Sequence, residues 1–167
     1  METPKVYIET TLFNFYFAET RGQYYGKTVV YCRDARRFFA AVEAGEFEPY
    51  TSEAVIDELM ETHNTGHRAE MMKLVEDFAI TSLPVNERVR WLADRYIEAG
   101  AIPAKQRTDA LHVASATVHG LDFIVSLNFK HIVKDKAILL TAMVNEDEGY
   151  DGIGIHEPGE ITDDGRT

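Results

Sequence analysis

Apolar residues along this chain alternate between short extended runs and helical spacings. Lys5 to Ile8 is a β-branched and aromatic run and reads as a first strand. Ala35, Phe38, Phe39 and Val42 recur at i, i+3, i+4 and i+7, one buried helix face, and Gly45 stands where that helix should stop. Phe47 to Thr51 reads as a brief strand, which Pro49, with no N–H to give a ladder, restricts to an edge or a strand end. Ser52 suits the N-cap of a helix through Met60. Met71, Leu74, Val75 and Phe78 repeat the helical spacing, and Ala79 to Leu83 is expected to be extended. Asn86 can cap a further helix with Val89, Leu92, Ala93 and Tyr96 inward and Gly100 at its end.

After Ile102-Pro103 the pattern predicts a helix from Asp109 to His119, stopped by Gly120. Phe123 to Leu127 is a compact apolar run of the kind buried on both faces of a parallel sheet. Ile132, Val133, Leu139, Leu140 and Met143 mark a last long helix, for which Asn128 is a natural N-cap. Ile153-Gly154-Ile155 closes the pattern as a short strand. Strands alternating with helices or helix pairs imply an α/β domain with a largely parallel central sheet. One domain is expected over residues 1–158, with a polar acidic tail over 159–167.

Composition narrows the class. The 167 residues are 45% apolar and 27% charged, a globular balance that excludes disordered and fibrous chains. No apolar run reaches the roughly 18 residues of a membrane span. The stretch from Val6 to Phe17 is broken by Glu9 and Asn14, so no secretion signal is read and a cytoplasmic location is expected. Cys32 is the only cysteine, which excludes an internal disulfide and a thiolate cage. Much of the formal charge of −11 lies late: eight acids follow from Glu146 on, against Arg166 alone. The rest is mildly acidic and lacks the basic footprint of a protein held on nucleic acid by charge alone.

In open parallel sheets ligands bind beyond the carboxyl ends of the strands. Four polar residues fall there: Glu9 after the first strand, Glu58 in the helix after Thr51-Ser52, Asp109 at the start of the helix after Pro103 and Asn128 after the apolar strand. Three carboxylates and an amide would repel one another if gathered dry, whereas a hard divalent cation such as Mg²⁺ or Mn²⁺ takes oxygen ligands of this kind. Duller readings exist: Asp109 is favoured by the helix dipole whatever its function. On a helical wheel Asp57 and Glu58 lie equally far from the apolar centre, so periodicity does not choose between them. An acid directly after an apolar strand, as Glu9 is, is hardest to explain as a solvated charge. His112 and His131 read as packed or hydrogen-bonded histidines, since the other candidate ligands are hard oxygens, and Cys32 as a small core residue.

Four segments carry a resemblance: Tyr7-Ile8-Glu9-Thr10-Thr11, Ile56-Asp57-Glu58-Leu59, Thr108-Asp109-Ala110-Leu111-His112-Val113-Ala114, and Ser126-Leu127-Asn128-Phe129-Lys130-His131-Ile132. Together, and in order from Val6 to about Pro158, they resemble a PIN domain, in the branch of VapC-like toxins of type II toxin–antitoxin systems. The resemblance implies a three-layer α/β/α sandwich and a Mg²⁺- or Mn²⁺-dependent endoribonuclease, with a cognate antitoxin protein and a homodimer as partners. It picks Glu58 over Asp57, and matches Glu9, Glu58, Asp109 and Asn128 to the four acidic positions of the family. Two positions depart: Glu9 is one methylene longer than the usual aspartate, and Asn128 is neutral where an aspartate is usual.

On this reading Glu9 and Asp109 hold the ion, and Glu58 positions a water or a second cation. Asn128 orients the hydration shell, and Thr11 and Thr108 support the carboxylates by hydrogen bonds. Lys105, Arg107, Lys130 and His131 are the candidate contacts for RNA phosphates. The competing expectation, motivated by Glu9 and Asn128, is a PIN-like module that no longer cleaves and serves as a binding or RNA-positioning subunit. A phosphoacceptor receiver domain would need an aspartate ending a middle strand, and none is found.

Overall fold

A computed structural model describes residues 2–162, and the last part of the expected acidic tail, 163–167, lies outside them. Five strands form one all-parallel sheet in the order β3-β2-β1-β4-β5. They are β1 (Lys5–Ile8), β2 (Glu48–Ser52), β3 (Thr81–Leu83), β4 (Phe123–Val125) and β5 (Gly154–His156). The α-helices among the described residues are α1 (Thr10–Tyr16), α2 (Lys27–Glu43), α3 (Glu53–Met60), α4 (Thr65–Asp77), α5 (Glu87–Glu98), α6 (Arg107–Val118), α7 (Asp135–Asp147) and α8 (Pro158–Thr162). Helices α1, α2 and α4 pack on one side, joined by ring contacts such as Phe13–Phe39 and Phe39–Phe78. Helices α5, α6 and α7 pack together on the other. The result is a three-layer α/β/α sandwich.

Local chemistry explains most boundaries. Ser52 and Asn86 accept hydrogen bonds from the backbone N–H groups of Ala54 and Val89, capping α3 and α5. Gly45, Gly100 and Gly120 follow α2, α5 and α6 with positive φ, the left-handed step a glycine takes at least cost. Pro49 lies inside β2, a strand with neighbours on both sides. The preceding Glu48 N–H donates toward β1, to Pro4 O, so the proline nitrogen faces β3. Pairing with β3 begins only at Tyr50, opposite Thr81. The missing donor therefore falls beyond the end of that ladder.

Three expectations need correcting. The helix around Asp109 begins at Arg107, after a 3-10 turn over Ala104–Gln106, so Asp109 lies within its first turn. The last long helix does not include Ile132 and Val133. These close a separate single turn in which both N–H groups donate to Asn128 O and the Asn128 side chain accepts from His131 N. Within α7 the inward residues are Ala137, Thr141, Val144 and Asn145, while Leu139 and Met143 are 61% and 54% exposed. Polar inward positions reversed the apparent periodicity. The segment after Pro158 also opens with a short helix, α8, packed on α2.

The chain leaves β1 toward β2 and β3 on one side, then crosses to β4 and β5 on the other. The order thus reverses between β1 and β4, and a crevice at their carboxyl ends is where such sheets bind ligands.

Candidate metal centre at the β1–β4 crevice

Glu9 directly follows β1 and Ser126 directly follows β4, and the two ends are stitched together. Glu9 N–H donates to Val125 O at 3.1 Å. Two hydroxyls then converge on one carboxylate oxygen: Thr11 Oγ1 donates to Glu9 Oε1 at 2.5 Å and Ser126 Oγ at 2.6 Å. Each hydroxyl also accepts a backbone N–H, Leu127 to Thr11 and Asn128 to Ser126. A backbone N–H can only donate, so each hydroxyl is left with its proton for Glu9. Glu9 occupies the N-cap position of α1, yet its side chain makes no capping bond. It is aimed instead into the crevice, 2% exposed.

Asp109 reaches the same place from the first turn of α6 and is 8% exposed. His112, one turn later, is completely buried. One ligand-type atom from each of Glu9, Asp109 and His112 lies within 4.8 Å of the others. Glu58 stands just beyond this group. It is half-buried, whereas neighbouring Asp57 is exposed, so the choice that periodicity left open falls to Glu58. Thr10 Oγ1 donates to Glu58 Oε1 at 2.5 Å, and His112 Nε2 lies 2.6 Å from the same oxygen. His112 Nδ1 is 2.7 Å from the Tyr7 hydroxyl, which lies 2.7 Å from Ser52 Oγ.

Burial is the largest influence on Glu9 and Asp109, and it raises both carboxyl pKa values. The charge on His112 opposes this at both residues, helped by Ser126 and Thr11 at Glu9 and by the Asn128 side chain at Asp109. Burial also works against the charged form of Glu58, but the His112 hydrogen bond and charge, with Thr10, bring its pKa below the usual value. His112 is raised: burial alone would lower it, and the bond to Glu58 with the charges of Glu9, Glu58 and Asp109 outweighs that. Two carboxylates that resist ionisation while facing each other are poised to take a cation.

The remaining expected residues fall around this centre unevenly. Asn128 is half-buried beside Asp109 and fixes the turn after β4. His131 is half-buried and close enough to favour the charged form of Asp109. Lys105 and Lys130 are exposed, while Arg107 Nε is paired with Asp94 at 3.1 Å. Thr11 holds a carboxylate as expected, but among the described residues Thr108 makes no such bond. Its place is taken by Thr10 and Ser126, both within the segments that carry the resemblance. His112 is a hydrogen-bonded histidine, one of the two roles the sequence left open, but its partners Tyr7 and Glu58 were not legible, because nothing in a sequence says which acid a buried histidine clasps.

The donors present suit a hard divalent cation: two facing carboxylates, with a third nearby and an amide alongside. His112 has both ring nitrogens engaged and none free for a metal. Among the described residues no helix is long and apolar enough to cross a membrane. No protein-family model matches the chain, and neither does any curated protein.

Proposed function

We propose that this protein is a metal-dependent endoribonuclease of PIN type, the toxin of a type II toxin–antitoxin pair acting in the cytoplasm. The observation that carries the reading is the convergence of buried Glu9 and Asp109 at the point where the strand order reverses. The β3-β2-β1-β4-β5 parallel sheet and the in-order PIN-like segments support it. Glu9 and Asp109 would hold Mg²⁺ or Mn²⁺. When bound, such an ion neutralises charge on the attacked phosphodiester and makes water a better nucleophile.

The chain's own groups supply the rest. Thr11 and Ser126 fix Glu9 Oε1, and its second oxygen would remain for the ion. Glu58, anchored at Oε1 and still partly exposed, orients attacking water from its other oxygen. Asn128 steadies Asp109 and offers its amide to the hydration shell. Lys105, Lys130 and His131 receive the RNA backbone, and a small antitoxin would mask the crevice in a homodimeric toxin.

The test is cleavage of single-stranded and structured RNA by the purified chain in Mn²⁺, with EDTA and Asp109→Asn as controls. Metal-dependent cleavage, reduced at least about 100-fold by the substitution, is expected. Full activity in EDTA overturns the reading. One observation favours a second reading, a binding module that no longer cleaves: Glu58 is already clasped and Asn128 is neutral. Metal binding without turnover on any RNA would select it.

A further inference from the structure

Glu9 and Glu58 each have one carboxylate oxygen taken up by two short hydrogen bonds, but only Glu58 is bonded to a ring nitrogen, at the end of a buried internal path. The path begins at the start of α3, where Ser52 Oγ accepts the Ala54 N–H at 3.1 Å. It continues through the Tyr7 hydroxyl on β1 and His112 on α6, with steps of 2.7 Å each, and returns to α3 at Glu58 Oε1 over 2.6 Å. Both ends of one helix are thus tied through a single histidine. Tyr7, Ser52 and His112 have no exposed surface, so none can swing aside without leaving a buried polar group unpaired, at a cost of about 1–3 kcal/mol.

His112 also occupies the third corner of the tight group formed with Glu9 and Asp109. A second ion in a two-metal nuclease site sits roughly 4 Å from the first and needs further carboxylates of its own. Here the candidates are Glu58, whose Oε1 accepts two short hydrogen bonds, and Asn128, which carries no charge. Asp109 is left available: it is nine-tenths buried, faces Glu9, and has only the Asn128 amide and histidine charges to offset its burial.

We propose that His112 is a latch that keeps Glu58 out of direct coordination, so that the centre binds a single divalent ion, on Glu9 and Asp109. The inference rests on the metal-centre reading above and adds to it the number of ions and the part played by the histidine. His112 is a positioning residue: it touches neither ion nor substrate and acts through Glu58.

The experiment is a calorimetric Mn²⁺ titration of the full chain, with pulsed electron paramagnetic resonance of the loaded protein. One Mn²⁺ per chain is expected, without the nitrogen coupling of a bound imidazole. Glu58→Gln still accepts from Thr10 and His112 and should weaken binding by about 10-fold or less, whereas Asp109→Asn should weaken it by more than about 100-fold. His112→Gln should release Glu58 and admit a second Mn²⁺. Tyr7→Phe, which keeps the ring and removes the anchor at Nδ1, should act in the same direction more weakly and serves if the first variant does not fold. Two ions on the unaltered chain, nitrogen coupling, Glu58→Gln as damaging as Asp109→Asn, or one ion still in both latch variants would each overturn the latch alone. No bound Mn²⁺ at all would overturn the metal-centre reading with it.

Discussion

On the α1–α2–α4 side of the sheet, Phe13, Phe38, Phe39, Phe47 and Phe78 meet mainly ring edge to ring face, with centroids 5.1–6.0 Å apart. On the α5–α6–α7 side the interior is threaded with polar groups. One thread is the Ser52–Tyr7–His112–Glu58 path. Another joins Tyr96 to Thr117 and Asn145 across three helices. The aromatic side is held by dispersion and area, which are non-directional and tolerate small shifts. The polar side is held by directional bonds, each costly to leave unmade. The crevice lies where these two kinds of interior meet: Glu9 leaves a strand buried on both faces and is fixed by hydroxyls. One side supplies stability and the other supplies aim.

The largest stability change is expected on the aromatic side. Phe39 is fully buried and contacts Phe13, Tyr16, Phe38 and Phe78. Phe39→Ala should cost about 3–5 kcal/mol in urea unfolding, while Mn²⁺ affinity of the folded fraction stays unchanged. A matching loss of metal affinity would show that the two sides are not separable. On the polar side, Thr11→Val removes the bond to Glu9 and leaves the Leu127 N–H without its acceptor. A smaller stability loss, about 1–3 kcal/mol, should accompany a drop in metal affinity of about 10-fold. A Thr11→Val protein that loses stability alone would remove the hydroxyl from the site.

The pH dependence sharpens the contrast because the shifted groups of the centre depend on the polar contacts. Glu9, Asp109 and His112 have raised pKa values, so the stability tied to their protonated forms is present at low pH and is lost as pH rises through those values. For His112 that loss begins above its ordinary 6.5. Glu58 runs the other way: its pKa is lowered, and its contribution is lost only as pH falls below the ordinary carboxylate range. The metal-free protein should therefore lose several degrees of melting temperature between about pH 6 and 9. On the proposed metal reading Mn²⁺ would compete with protons for the same carboxylates, so the gain it gives should grow across that range. A gain that shrinks as pH rises would mean that the ion meets other groups.

Legibility in the sequence followed the same division. Apolar periodicity marks the aromatic side plainly, because Ala35, Phe38, Phe39 and Val42 are buried by what they are. It misleads on α7, where Thr141 is buried with its hydroxyl bonded to the Ala137 carbonyl, Asn145 is buried against Tyr96, and Leu139 points outward. At the centre, Glu9 was legible from its place after an apolar strand, and Asp109 from its place at a helix start. Glu58 needed the family pattern. The clasp by His112 was not legible at all, since it depends on β1, α3 and α6 meeting in space. Turn chemistry also hid a boundary: Asn128 caps a single turn, and the long helix starts seven residues later, at Asp135.

The smallest effect is expected at the rim. Arg107 and Asp94 are both substantially exposed, with side-chain exposures of 42% and 54%, so their ion pair is screened by water. Arg107→Ala should change stability by no more than about 0.5 kcal/mol. Its value as a probe lies in the RNA binding proposed above. Arg107 opens α6 two residues before Asp109, and on the proposed reading an arriving phosphate would compete with Asp94 for the guanidinium. A fully free arginine would contribute one phosphate contact, and a shared one contributes less. RNA affinity should fall only a few-fold in Arg107→Ala, with a salt slope shallower by less than about 1, and Asp94→Ala should strengthen binding by releasing the cation. Equal loss in both variants would mean that the pair holds the loop before α6 in place, and Arg107 would then belong to the framework of the crevice rather than to its RNA contacts.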